Sequence, residues 1–552
     1  MKISLNNKSL KIQLFLILAG ILLFLPGLGR VHLFDWDEIN FAESAREMLV
    51  SGDYLNVQIN FETFWEKPPL FIWMQAASMK IFGVNEFAAR FPNVICGIVV
   101  LLVLFNIGKE LKNSRFGILW AAMYVTSIIP FFYFKSGIID PWFNLFIFLG
   151  IYFAIRITSP SKKGNPHWQA FWAAFFIGLA VLTKGPVGFL IFLLSFGVYF
   201  LIKRFKTDVK LSQLGIFTVV FMFIGGFWFI LQLLNGNYTI LKDFIEYQIR
   251  LFKTEDAGHG GFLLYHFVIL LMGVFPASIL ALPSFKRAIF KSEKDEKVKD
   301  FLLWMMIVFW VVLILFTIVR TKIVHYSSMC YFPLTFLAAW YADKVLNNEF
   351  KIYKWMRILL IFIAALFGIA AFAITFFDKF KSLIIPYSDE FTQGNLQATA
   401  NWMGFEWIFG VVLIVGTILF VYFYKKEEIK KAFIYLLSGS LIFVYGAMFF
   451  ITPQVEKYSQ LSAIEFYKSK QDEDCYIYPI SKTYAHYFYS NRMPENKNAD
   501  KLYLECGELE KPCYFVIKNT KSRIEEFVKE TPDAVKLYDK NGFAFFVRQS
   551  KK

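Results

Sequence analysis

Runs of about 20 apolar residues recur along most of the chain. A helix needs about that length to cross the hydrocarbon core of a bilayer, where no water is present to satisfy an open backbone. The runs therefore predict a polytopic α-helical membrane protein. Windows of spanning length give about thirteen candidates, at residues 12–30, 93–108, 116–134, 141–157, 169–183, 187–202, 213–234, 263–282, 301–319, 327–342, 357–377, 405–424 and 432–451.

The composition and the placement of charge agree with this class. Of the 552 residues, 57% are hydrophobic and 18% are charged. The net charge of +15 does not indicate nucleic-acid binding, because the basic residues fall in alternate loops between the apolar runs. Loops rich in lysine and arginine stay in the cytoplasm. The other loops and the tail are therefore predicted to be extracytoplasmic.

The chain is predicted to have a membrane domain over residues 1–451 and a small extracytoplasmic α/β domain over residues 452–552. The first long outer loop, 31–92, contains two amphipathic segments that are typical of helices lying along the membrane surface. In the tail, CYIYPI and CYFVIK resemble strands, and Asn541-Gly542 is typical of a hairpin turn. Cys506 and Cys513 form a disulfide in one reading and are free thiols in the other.

Charged side chains collect at the outer ends of the predicted spans, and they come from at least four loops. Because they face one compartment, we expect a single cavity at the outer leaflet. Lysine suits a phosphate, a carboxylate at a helix start suits a general base or a metal ligand, and glutamate with histidine suits a divalent cation. The candidates are Asp35, Asp37, Glu38, Glu66, Lys67, Asp140, Lys184, Glu255, Asp256, His259, Arg320, Lys322 and His325.

Each candidate also has a purely structural interpretation. Asp37 and Glu38 are favourable at the start of a helix, and Asp140 before a proline is a helix-start signal. Glu66 and Lys67 suit an interfacial pair beside a tryptophan, and Lys322 and His325 suit anchors at the headgroup level.

The segments DEINFAESAREMLVSGDY and FWEKPPLFIWMQAASMKIFGVNEFAARFPN resemble the first outer loop of the membrane-bound GT-C glycosyltransferases. These form the protein O-mannosyltransferase superfamily, and the resemblance is greatest to its ArnT-like branch, the bacterial undecaprenyl-phosphate aminoarabinose transferases. It continues through IIDPW, LTKGP, EDAGHGG and KIVHYSSMCYFP and covers most of residues 31–335.

The resemblance implies a GT-C fold in the bacterial plasma membrane and an enzyme that uses a polyprenyl-phosphate-sugar donor. The sugar would pass by inverting displacement to a lipid A, protein or glycan acceptor at the outer face, among membrane lipids. The resemblance also implies catalytic, donor-binding and metal-binding residues. Arg250 is added to the donor-binding set because of its position in the sequence alone. The full set is Asp37 and Glu38 as catalytic carboxylates, Lys67, Lys184, Arg250, Lys322 and Asp140 around the lipid phosphate and donor, and Glu66 and His259 at a divalent metal site for Mg²⁺, Mn²⁺ or Zn²⁺.

Two departures from the branch stand out. An arginine typical of the branch is replaced by Asn40, and the K-L-P-x-Y pattern at 322–326 lacks its proline. The alternative function is a transporter or flippase of lipid-linked saccharides, which predicts charges or broken helices at mid-membrane depth. A lipid-phosphate hydrolase would require a nucleophile or paired histidine and arginine motifs, and the sequence shows neither.

Overall fold

The computed structural model describes residues 7–159, 164–207, 209–253, 260–497 and 500–550. The part before the tail is helical apart from one short hairpin. Its helices are α1 Asn7–Phe24, α2 Asp37–Ser51, α3 Leu70–Phe82, α4 Glu86–Leu111, α5 Ser114–Val125, α6 Ile128–Tyr133, α7 Asp140–Thr158, α8 Pro166–Lys184, α9 Val187–Ile202, α10 Leu211–Gly225, α11 Phe227–Leu234, α12 Tyr238–Lys253, α13 Tyr265–Gly273, α14 Ala277–Ala281, α15 Arg287–Lys291, α16 Glu296–Ile318, α17 Tyr331–Leu346, α18 Lys354–Thr375, α19 Phe377–Ile384, α20 Glu390–Asn395, α21 Trp407–Lys425 and α22 Ile429–Gly446.

Six helices of the described residues are long and apolar enough to cross a membrane, or up to eight if each of two bent pairs is one span. The multi-span helical class is thus confirmed, whereas the count of about thirteen is not. One reason is that predicted spans are bent: α10 and α11 meet at 55°, and α13 meets the following Ala277–Phe285 segment at 107°. Another is that α9 has only 16 residues.

The core of the membrane part lies around α17, which is buried along almost its whole length. Trp120 of α5 packs edge-on against Phe336 of α17, with ring centroids 4.9 Å apart. Phe332, one turn earlier on α17, stacks on Phe148 of α7 at 4.4 Å. These aromatic contacts fix α5 and α7 against α17 and so fix the ends of α7, where part of the site lies.

α2 is buried on nearly every side from Glu38 to Met48, including the charged residues of that stretch. Arg46 pairs with Glu43 at 2.6 Å, and both side chains are almost fully buried. Glu47 accepts hydrogen bonds from the backbone N–H groups of Asn60 at 2.6 Å and Phe61 at 2.8 Å. Those two residues turn the hairpin β1 Gln58–Ile59 and β2 Glu62–Thr63 with φ near 60° and 54°, a conformation that residues other than glycine rarely adopt. Glu47 therefore stabilises the turn that leads into the loop before α3.

The tail contains a four-stranded sheet with the order β3-β4-β6-β5. β3 is parallel to β4, and the other neighbours are antiparallel. Asn541 and Gly542 join β5 to β6 with φ of 44° and 80°. All five cysteines are free thiols, and Cys513 is buried on β4. The tail elements are α23 Thr452–Val455, α24 Leu461–Lys468, β3 Tyr476–Pro479, α25 Ala485–Tyr489, α26 Lys501–Cys506, β4 Cys513–Lys518, α27 Lys521–Glu530, β5 Val535–Lys540 and β6 Phe543–Arg548.

The tail has a core of its own around Phe515 and Phe546, and it shares a second buried cluster with the first long loop, residues 31–92. Ile39 and Phe41 of α2 belong to the same buried cluster as Ile464 of α24 and Phe545 of β6. The hydroxyl of Tyr489 accepts a hydrogen bond from the backbone N–H of Leu33 at 2.6 Å. The tail and the first loop are therefore packed as one unit.

Candidate active site

Five segments that are distant in the sequence bring ionisable side chains to one place. α2 begins with Asp37, Glu66 and Lys67 precede α3, α7 begins with Asp140, α8 ends with Lys184, and His325 lies in the 3₁₀ segment Val324–Cys330. Lys67 interacts electrostatically with Asp37, Asp140 and Lys184. The same four charges act on His325. We call Asp37, Glu66, Lys67, Asp140, Lys184 and His325 the site cluster.

Local start and stop signals explain why these residues stand at helix ends. Pro141 occupies the first turn of α7, where its missing N–H has no cost. Gly185 ends α8 with φ of 91°, a conformation that favours glycine. Pro68 disfavours helical backbone at Lys67, so Lys67 stays in the loop. Carboxylates at the starts of α2 and α7 are favoured by the helix dipoles.

Asp140 and Lys184 form a buried ion pair. Their side chains are 4% and 13% exposed, and Lys184 Nζ lies 2.7 Å from Asp140 Oδ1. The ammonium also faces the rings of Tyr326 at 5.6 Å and Phe143 at 5.7 Å. The charge of Lys184 is thus balanced within the protein, and the pair joins the start of α7 to the end of α8.

Asp37 faces His325. Asp37 Oδ2 lies 3.4 Å from His325 Nε2, with the carboxylate 34% exposed and the imidazole 13% exposed. Burial lowers the pKa of His325, and the nearby Lys184 and Lys67 lower it further, against the opposing effect of Asp140 and Asp37. The imidazole is therefore neutral at neutral pH, next to an accessible carboxylate.

Lys67 is the cation of the cluster that forms no ion pair or hydrogen bond with a described residue. Its ammonium lies 5.0 Å from the centre of the Tyr247 ring on α12. Burial lowers the pKa of Lys67, while Glu66 and Asp37 raise it. A partly buried ammonium without a paired anion is a favourable point for a phosphate, which would supply the missing counter-charge.

Glu66 is held by the same helix. Its Oε2 accepts a hydrogen bond from the hydroxyl of Tyr247 at 3.1 Å. Its predicted metal partner, His259, lies outside the described residues. Across the described part of the chain, no three histidine, cysteine, aspartate or glutamate residues are grouped so that they could hold a metal ion. The described residues alone therefore do not make a metal site.

The structure places two predicted site residues in other surroundings. Glu38 is buried against Arg90, with 2.8 Å between Arg90 Nη2 and Glu38 Oε2. It also accepts hydrogen bonds from the backbone N–H groups of Phe34 and Gly137. Lys322 points its ammonium at the carbonyl oxygens of the last turn of α16, including Thr317 at 2.7 Å. Both side chains satisfy buried polar groups of the protein.

Arg250 lies on the exposed side of α12, three residues after Tyr247. Its guanidinium is 5.2 Å from the centre of the Tyr247 ring, so it flanks the residue that covers Lys67. Phe244 of the same helix packs on the ring of Phe229 of α11 at 5.5 Å. α12 is thus fixed at its middle and brings Tyr247 and Arg250 beside the site cluster.

His325 is one of the candidates that the sequence predicts for the cavity, although the sequence assigns it no role in the reaction. Two further residues near the cluster have no signal in the sequence. Tyr247 lies on an amphipathic helix with no special motif. Tyr484 of the tail packs on Trp36 at 5.4 Å and on Phe64 at 6.2 Å, and no sequence signal connects it with them.

Comparisons with known proteins bear on the chain as a whole. Residues 66–228 match the family model described as dolichyl-phosphate-mannose-protein mannosyltransferase. The undecaprenyl phosphate-alpha-4-amino-4-deoxy-L-arabinose arabinosyl transferase of Pectobacterium carotovorum is 26% identical over 79% of this chain and 74% of its own length. An uncharacterized protein of Aquifex aeolicus is 24% identical over 81% of this chain and 79% of its own length.

Among solved structures, ArnT from Cupriavidus metallidurans bound to undecaprenyl phosphate has a TM-score of 0.76 at 15% sequence identity. The match covers 98% of both chains, so the fold is shared from end to end. The family match, the curated relatives and the common fold confirm the resemblance drawn from the sequence, and the chain is a glycosyltransferase similar to the ArnT-like branch of the GT-C enzymes.

Proposed function

We propose that this protein moves a sugar from a polyprenyl-phosphate carrier to an acceptor at the outer face of the bacterial plasma membrane. The reaction is a single inverting displacement at the anomeric carbon. One observation carries the proposal: Asp37 presents an accessible carboxylate in the same electrostatic cluster as Lys67, a partly buried ammonium with no ion-pair partner among the described residues. One group suits an incoming nucleophile, and the other suits a departing phosphate.

The donor side of the proposal centres on Lys67. As the bond between the anomeric carbon and the phosphate oxygen breaks, negative charge builds on the carrier phosphate, and the ammonium stabilises it in a water-poor setting. Arg250, whose guanidinium lies beside the Tyr247 ring, contacts the same phosphate or the sugar in this proposal. The bound undecaprenyl phosphate of the Cupriavidus structure and the name of the Pectobacterium relative support a polyprenyl carrier.

The acceptor side centres on Asp37, which orients the nucleophile or removes its proton. Lipid A, hydroxyls of exported proteins and surface glycans are the acceptor classes considered. The Asp140–Lys184 pair shapes the wall between the two halves of the site. We now assign Glu38 and Lys322 the role of holding the backbone around it, because their charged groups are already engaged.

A divalent cation at Glu66 and His259 remains part of the proposal. Chelation of the purified protein is expected to lower the transfer rate, and one of Mg²⁺, Mn²⁺ or Zn²⁺ is expected to restore it. The rate of sugar transfer before chelation, after it and after each addition is the measurement. An unchanged rate after complete chelation would remove the metal from the proposal.

The transporter or flippase alternative has less support. It predicts charges at broken helices in the middle of the membrane. The two bent pairs break at Gly226 and over residues 274–276, and neither break contains a charged residue. The charged cluster lies instead at helix ends.

The test uses the full-length protein in lipid nanodiscs with a panel of labelled polyprenyl-phosphate sugars and membrane, protein and glycan fractions as acceptors. The expected result is release of polyprenyl phosphate together with transfer of label to one fraction. Mass spectrometry of the same fractions from cells with and without the gene identifies the product in vivo. Movement of intact labelled donor across the bilayer without cleavage would overturn the proposal in favour of a flippase.

A further inference from the structure

The 3₁₀ segment Val324–Cys330 presents the imidazole of His325 to Asp37. Its Nε2 lies 3.4 Å from Asp37 Oδ2. The ring stands at 73° to that of Tyr326, with centroids 5.4 Å apart. The carbonyl of His325 accepts a hydrogen bond from the hydroxyl of Ser328. Backbone and ring are both held, so the orientation toward Asp37 is built into the fold.

Charged and titratable groups face this imidazole from several elements. Asp37 comes from α2, Lys67 from the loop before α3, Asp140 from α7 and Lys184 from α8. From α13, His266 interacts with both His325 and Lys322. The two lysines disfavour a protonated imidazole and the two carboxylates favour it, while burial tips the balance to the neutral form.

We propose that His325 is a positioning residue that faces Asp37 and takes on the proton that Asp37 removes, and that the acceptor nucleophile is therefore an alcohol hydroxyl. This inference rests on the proposed function and specifies the acceptor that it left open. A neutral imidazole next to a carboxylate is suited to a nucleophile that must lose a proton during the reaction.

The acceptor oxygen forms a bond to the anomeric carbon while its O–H bond breaks and the proton passes to Asp37. The bond from the anomeric carbon to the carrier phosphate breaks, and its electron pair leaves with the phosphate beside Lys67. The neutral imidazole carries its own proton on Nδ1 in this step, so the lone pair of His325 Nε2 takes the proton from Asp37. A carboxylate and an imidazolium are then in contact, and the proton later passes to solvent.

A phosphate acceptor would have little use for this pair. The second pKa of a phosphate monoester is about 6, so its oxygen is already free of the proton at neutral pH. An alcohol keeps its proton under the same conditions. The proton-accepting role of His325 therefore fits an alcohol acceptor, which must lose a proton as the bond to the sugar forms, and not a phosphate acceptor, which has already lost it.

The first experiment identifies the bond made by the wild-type protein. Labelled product from the nanodisc assay is treated with mild acid, which cleaves a glycosyl phosphate and spares a glycoside to an alcohol. A product resistant to acid, with mass spectrometry placing the sugar on a hydroxyl, is expected. A sugar on phosphate would overturn the inference and leave the proposed function intact. If none of the donors tested releases polyprenyl phosphate, the result would count against the proposed function itself.

The second experiment compares the pH dependence of kcat in the wild type and in His325→Gln. The wild-type rate is expected to fall toward low pH with a midpoint below 6.5, because a protonated imidazole accepts no proton. In His325→Gln we expect a loss of about tenfold to a hundredfold and no such acidic limb. An unchanged acidic limb would overturn the role.

His167→Gln is the matched control, since His167 lies at the opposite end of α8 from Lys184 and should keep both rate and profile. His325→Asn serves if the glutamine variant does not fold.

Discussion

At the scale of single residues, two adjacent carboxylates of one motif occupy different environments. Asp37 is one-third exposed and faces His325. Glu38 is buried, and both of its oxygens bind Arg90, whose guanidinium also donates to the carbonyls of Leu28 and Val31. The first is placed to meet a substrate, while the second holds the chain entering α2 against α4.

This difference predicts opposite effects of two isosteric changes. Asp37→Asn is expected to abolish sugar transfer with little change in thermal stability, because no buried charge loses its partner. Glu38→Gln leaves the Arg90 guanidinium buried without its anion, which costs about 3–5 kcal/mol. Transfer rates and melting temperatures in nanodiscs test both. Full activity in Asp37→Asn, or unchanged stability in Glu38→Gln, would contradict the assignment.

The two lysines of the cluster are expected to differ in the same way. Lys67→Met removes an ammonium that has no ion-pair partner in the described structure, so donor binding should weaken by about tenfold or more, near 1.5–3 kcal/mol, while stability is kept. Lys184→Met strands the buried Asp140 and should cost about 3–5 kcal/mol of stability. Binding of polyprenyl phosphate and thermal unfolding of both variants are the measurements. Equal donor affinity in Lys67→Met and wild type would argue against the phosphate role.

At the scale of elements, the position of α12 over the site depends on the close contact between Phe244 of α12 and Gly185 at the end of α8. A Cβ at Gly185 would lie 2.8 Å from Phe244 Cζ, and Gly185 has φ of 91°. Phe244 stands one helical turn before Tyr247, which contacts both Glu66 and Lys67. The glycine that ends α8 therefore also sets how closely α12 covers the cluster.

Gly185→Ala is expected to push α12 away and to lower the transfer rate about tenfold, equivalent to about 1.4 kcal/mol. Gly404→Ala is the matched control, because Gly404 has φ of 86° and no atom within 4 Å of the added Cβ. Both substitutions put an alanine at a positive φ, so both variants carry backbone strain. A similar loss of activity in the two variants would show that the strain, and not the displacement of α12, is responsible.

At the scale of the whole molecule, the tail stabilises two loop segments that carry the site, one leading into α2 and the other leading into α3. Tyr484 packs on Trp36, next to Asp37, and on Phe64, two residues before Glu66. Lys482 lies 4.5 Å from the Trp36 ring centre. The tail thus contacts both loop segments through side chains that take no part in the proposed chemistry.

Tyr484→Ala is expected to lower kcat by about fivefold to 150-fold, since two aromatic contacts worth about 0.5–1.5 kcal/mol each are lost. Tyr538→Ala is the control for a loosened tail, because Tyr538 packs on Phe466 and Phe545 inside the tail. Steady-state rates and limited proteolysis of the first loop measure the effect. Equal rates in Tyr484→Ala and wild type would contradict the coupling.

The sequence by itself determined the properties that depend on neighbouring residues. Apolar length predicted a multi-span helical protein, and proline and glycine signals predicted where charged residues would stand at helix ends. The recurring charges at those ends, at Asp37, Asp140 and Lys184, indicated a site. These conclusions need no knowledge of packing, because helix length, helix starts and helix stops are set locally.

Only the tertiary structure decided which of those charges meet. Glu38 and Asp37 are adjacent, yet the rotation of α2 turns one toward Arg90 and the other toward His325. Lys322 and His325 are three residues apart, yet one binds the carbonyls ending α16 and the other faces the cluster. The bends in apolar runs were equally hidden, because apolar residues favour burial without fixing direction. Partner choice is settled by helix packing across hundreds of residues, and a linear pattern of residue types does not contain it.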